Sequence, residues 1–89
     1  MSVRVDQNYP DVDDLTIVDE DGVPIEGVEI RIFDHTAFYA NQVDTWIAET
    51  MSDINGYWVD PVYLEEARTY VVHMEKPTMY GPIHKEIDT

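Results

Sequence analysis

The sequence predicts an all-β domain, an antiparallel β-sandwich of about seven strands, and three observations carry that reading. No stretch keeps apolar residues at helical spacing over the roughly ten residues that a packed helix needs. Several short segments alternate apolar and polar side chains at period two, the pattern of a strand with one face on a core. Glycine, proline, asparagine and aspartate recur between these segments, so turns break the chain at short intervals.

The elements follow in order. "MSVRVDQNYPDVDD" is polar and acidic, with Pro10 as a breaker, so residues 1–13 are expected to form an extended N-terminal arm outside the core. Residues 14–89 are then the sandwich. Leu15 to Val18 is apolar and rich in β-branched residues, "DEDG" is turn chemistry, and Val28, Ile30 and Ile32 alternate with Glu29, Arg31 and Phe33. Pro24 and Gly27 keep the link between these strands out of a helix. "HTAFYANQVDTW" lacks clean alternation and reads as a loop or a helical turn. "WIAETMSD" resumes the strand pattern, and Asp53-Ile54-Asn55-Gly56 forms a turn in which Asn or Gly takes positive φ. "YWV" reads as a short strand, "PVYLEEA" as a connection and "TYVVHME" as a strand. "IHKEIDT" closes the sheet as an edge strand, where an inward Lys85 between Ile83 and Ile87 discourages edge-to-edge pairing.

Charge and composition bound the function. Nineteen acids face five bases, a formal net charge of −14. Nucleic-acid binding needs a basic face to neutralise phosphates, so it is excluded as an expectation. The same negative field suits docking onto a basic protein surface. With no cysteine, neither disulfides nor thiolate metal sites are available. No stretch resembles a secretory signal or a membrane span, so the expected location is the cytoplasm of a producing cell, with release by lysis.

The order of the pieces resembles the carboxypeptidase regulatory-like domain, a transthyretin-like sandwich. Asp19, Gly22, Pro24, Ile25, Gly27 and Val28 match its first motif. Thr50, Asp53, Asn55, Gly56 and Tyr57 match the second, and Leu64, Thr69 and Tyr70 the third. The match spans roughly residues 15–76. One departure stands out, because a glycine usually precedes the "TY" element and Ala67-Arg68 stands there instead. The resemblance implies a Greek-key, transthyretin-like topology. It also implies a structural role for Asp19, Gly22, Pro24, Gly27, Asp53, Asn55 and Gly56. Small acidic sandwiches of this sort resemble phage virion accessory proteins, either capsid decoration or tail-associated.

Reactive chemistry finds little material. A calcium loop starting at Asp19 or Asp53 would need a bidentate glutamate at its twelfth position, and those positions are Ile30 and Leu64. His35, His73 and His84 are expected at the surface or on strand flanks; a three-histidine zinc site is the alternative, but the spacing offers no short ligand pair. Transthyretin-related hydrolases end in Y-R-G-S, whereas this chain ends Glu86-Ile87-Asp88-Thr89. Two Tyr and two His of the intradiol-dioxygenase kind do not map here, and the late lysines Lys76 and Lys85 disfavour an internal isopeptide bond. No catalytic residue, metal or cofactor is expected.

Aromatic residues remain. Trp46 and Trp58 are expected in the core, Tyr63 fits the core on one strand phase only, and Tyr9, Phe38, Tyr39 and Tyr80 are expected as docking residues, since aromatics dominate interface hot spots. The expected function is a non-enzymatic module that docks on a larger assembly, with homo-oligomerisation possible. The alternative is a carbohydrate- or surface-recognition module that stacks its ligand on Phe38, Tyr39 and Tyr80.

Overall fold

A computed structural model of the protein describes residues 2–40 and 45–89. Among the described residues, six strands and one helical turn follow in the order β1 (Ser2–Val5), β2 (Glu29–Asp34), α1 (His35–Tyr39), β3 (Ala48–Met51), β4 (Val62–Glu65), β5 (Thr69–Lys76) and β6 (Tyr80–Asp88). Two isolated bridges, Val18–Pro24 and Ser52–Trp58, add to them. β1 pairs with β4, and the other strands form a sheet of order β3-β2-β5-β6; every pairing is antiparallel. The all-β expectation therefore holds.

The core forms where the inward faces of the two sheets meet. Ile30 lies opposite Met74 and Ile32 opposite Val72, and all four are buried. From the other sheet, Val5, Val62 and Leu64 join them. Trp58 fills the space between and donates its indole Nε1 to the Leu15 carbonyl at 3.0 Å, the partner a buried indole requires.

The N-terminus departs from expectation. Residues 2–5 are no arm outside the core, because Ser2–Val5 pairs in register with Glu65–Val62 and Val5 is fully buried. Val3 and Val5 alternate with Ser2 and Arg4, so even this four-residue stretch carries the period of a half-buried strand. The acids that follow shape turns. Asp6 Oδ1 accepts from the Asn8 amide at 2.9 Å, and Asn8 Oδ1 accepts from the Asp13 amide at 3.1 Å.

Other elements shift more modestly. Leu15 and Ile17 are buried as predicted, but this stretch makes one bridge instead of a strand. "PVYLEEA" contains β4, since the bend at Glu66-Ala67 begins only after Val62 and Leu64 have pointed inward. Tyr63 alternates outward and is exposed, not core. "YWV" makes only the Ser52–Trp58 bridge. The irregular 35–46 segment starts with the helical turn, while residues 41–44 lie outside the described residues. Lys85 pairs opposite Val72 on the core-side face of edge strand β6, and its Nζ donates to the Asp14 carbonyl at 3.3 Å.

Candidate interaction surface

The acidic turns were the sharpest motifs in the sequence, and their carboxylates serve the backbone. Asp19 Oδ1 accepts from the amides of Asp21 and Val23, both at 2.9 Å. Asp53 Oδ1 accepts from Asn55 at 2.9 Å and Tyr57 at 3.0 Å. In each turn the aspartate amide also donates to the carbonyl four residues on, and the glycine amide donates back to the aspartate carbonyl. Gly22 and Gly56 take φ of 81° and 74°, the left-handed region that such a turn demands. Both D-x-[DN]-G motifs thus close their own loops. Among the described residues, no three His, Asp or Glu side chains are arranged to hold a metal ion.

The remaining turn residues meet at Ser52. Its Oγ donates to the Ile25 carbonyl at 2.6 Å and accepts from the Val28 amide at 2.9 Å. The Gly27 amide donates to the Ser52 carbonyl, and Pro24 bridges to Val18. A buried serine so engaged is a clamp for the P-I-x-G-V segment.

A cluster that the sequence did not reveal lies on the outer face of the larger sheet. Asp34 ends β2 in extended conformation and caps α1, its Oδ2 accepting from the Ala37 amide at 3.3 Å. The cap turns Phe38 back over the sheet. Its ring meets Phe33 at 5.3 Å and His84 at 4.8 Å, both edge to face. His73 lies opposite His84 in register, and the two rings stack at 4.8 Å and 27°. His35 Nε2 reaches Glu86 Oε1 at 2.7 Å, tying α1 to β6, and Tyr39 packs on the His35 ring at 4.7 Å. Burial, and then the neighbouring His84, holds the His73 pKa below the usual histidine value. The three histidines do fall on one face, but as packing and hydrogen-bonding groups. The helical spacing of His35 and Tyr39 could have signalled part of this from sequence, whereas the pairing of His73 with His84 depends on strand register.

The four expected docking aromatics do not form one surface. Phe38 and Tyr39 share the outer face, and Tyr39 is largely exposed. Tyr9 is half-buried against the core, and its hydroxyl donates to the Asp88 carbonyl at the far end of β6. Tyr80 starts β6 on the core-side face because of a register shift. Met74 pairs with Ile83, but Lys76 pairs with Tyr80, so β6 holds one extra residue there. A one-residue slip moves a side chain to the opposite face. A stacking platform of Phe38, Tyr39 and Tyr80 is therefore not assembled.

Open grooves mark the surface among the described residues. One of about 390 Å³ is lined by Asp34, Ile47, Tyr63 and Arg68, and one of about 280 Å³ by Glu29, Glu49, Met51 and Asp60. The third, of about 450 Å³, lies between the Asp19 turn and Tyr80. No family model, curated protein or solved structure matches the chain.

Proposed function

We propose that this domain is a non-enzymatic β-sandwich scaffold, Greek-key and transthyretin-like in topology, that docks on a larger and more basic protein assembly. A phage virion, with the domain as a decoration or tail-associated component, is the setting that the sequence resemblance suggests. The observation that carries the reading is how the chain divides its polar chemistry. Asp19 and Asp53, the carboxylates of the two turn motifs, and the buried Ser52 are engaged by backbone groups. Exposed Tyr39, Tyr63 and Met79 meanwhile stand on a surface of net charge −14. Apolar side chains supply contact energy, and the acid field steers a cationic partner and makes the association salt-dependent.

Sedimentation tests this. In extracts of the producing cell at low salt, the tagged domain is expected to travel with a particle far larger than itself and to be released by high salt. A domain that sediments only as the free 10.3 kDa species at low salt overturns the proposal.

A further inference from the structure

One groove has the parts of an arginine site, and the chain contains a filled example of the same chemistry. In the filled one, the Arg31 guanidinium carbon lies 4.0 Å from the centroid of the Trp46 ring. Two carboxylates flank it, Glu49 at 3.4 Å and Glu29 at 3.8 Å. An aromatic face and adjacent carboxylates suit guanidinium better than ammonium, because the planar cation stacks while its edge donates hydrogen bonds.

The groove of about 450 Å³ brings together an aromatic ring, Tyr80, and two carboxylates, Asp19 and Glu20, with Val18, Met79 and Ile83 as apolar walls. No lysine or arginine among the described residues lines it. Among the described residues neither Asp19 nor Glu20 is paired with a cation. The extra residue in β6 is what brings Tyr80 to this side of the sheet, since regular pairing would turn it to the other. Gly81 makes the bulge feasible: a Cβ there would lie 2.5 Å from the Met74 carbonyl oxygen. Burial raises the Tyr80 pKa, so its ring stays the neutral phenol.

We propose that this groove, between the Asp19 turn and the bulged start of β6, receives an arginine side chain of a basic protein partner. The guanidinium stacks on Tyr80 and faces Glu20 and the free edge of Asp19, and its aliphatic stem lies on Met79. The assignment rests on the docking reading above and gives that reading one specific contact.

The test is a titration of the isotope-labelled domain with acetyl-Gly-Arg-Gly-amide at low salt, followed by amide chemical shifts. The citrulline tripeptide, isosteric and uncharged, is the control. Shifts are expected to concentrate at Val18–Glu20 and Met79–Ile83, with the arginine peptide binding at least about threefold tighter than its citrulline analogue. Glu20→Gln, at an exposed side chain, should weaken the arginine peptide by about threefold or more and leave the melting temperature unchanged. Equal binding of citrulline, shifts spread evenly over the acidic surface, or indifference to Glu20→Gln each overturn the site. If the peptide fails while the domain still sediments with its particle, the groove assignment falls and docking stands. If the peptide binds but no particle carries the domain, docking falls and the arginine site stands.

Discussion

The turns at Asp19–Val23 and Asp53–Tyr57 have the same hydrogen bonds but different surroundings. A Cβ on Gly22 would meet nothing within 4 Å, whereas one on Gly56 would lie 2.2 Å from the Ile17 carbonyl oxygen. The Gly56 carbonyl in turn accepts from the Ile17 amide at 2.8 Å. Gly22 in the first turn is pressed against no other part of the fold. The second turn docks on the strand-like segment that precedes the first, so it joins two parts of the molecule that are distant in sequence. Motif similarity thus identifies local geometry and says nothing of what the geometry is pressed against.

The largest expected effect breaks or confirms this contrast directly. Gly22→Ala should destabilise by about 1–2 kcal/mol, the penalty of left-handed backbone for an L-residue. Gly56→Ala adds a backbone collision and should reach about 3 kcal/mol or more, or prevent folding. Urea unfolding of both variants measures it, and equal losses would mean the Gly56 contact is of no consequence.

A smaller difference is expected at the aspartates. Asp53→Ala and Asp19→Ala each strand two amides at the surface, a loss of about 1 kcal/mol. The Asp53 variant should lose more, because its turn must hold shape to meet Ile17. Thermal melts of the pair rank them; a larger loss at Asp19 would reverse the roles assigned to the two turns.

A third turn sharpens the comparison by lacking the glycine. Ala67 sits at φ 59°, left-handed backbone carried by an L-residue with a Cβ. Ala67→Gly should therefore stabilise the domain by about 0.5–1 kcal/mol, relief of the left-handed penalty less the added freedom of the unfolded chain. Urea midpoints would show it, and a destabilised variant would contradict the strained turn.

The smallest effect is on pH. His73, facing His84, Arg31, Glu29 and Glu75, has its folded pKa below the usual 6.5. Above that value it is neutral in both states and contributes nothing to the pH dependence. As pH falls through 6.5, the unfolded chain takes up the proton first, so stability drops toward the folded pKa. Melting temperatures of the wild type and His73→Asn between pH 7.5 and 5 should diverge in slope, the variant losing less on acidification. Parallel curves would show that His73 adds no such term.

The strands of the larger sheet were legible because their alternation is long enough to read: Val28, Ile30 and Ile32, then Tyr70, Val72 and Met74, all lie inward. The two acid–glycine turns were legible because aspartate and glycine each have a local reason to be there. β1 and β4 were missed because four residues carry little period, and acids and glutamates beside them suggested an arm and a connection. The histidine cluster was missed because it depends on register, and register is set by pairing across the sheet.

The amino-acid sequence alone determined the all-strand class, the acidic field and the internal geometry of each turn, since these follow from side-chain type and spacing over a few residues. Tertiary structure decided which turn glycine is pressed against Ile17, which histidines stack, and which face carries Tyr80. Each of those depends on contacts between residues far apart in the chain, and in the case of Tyr80 a single extra residue in β6 reverses the outcome.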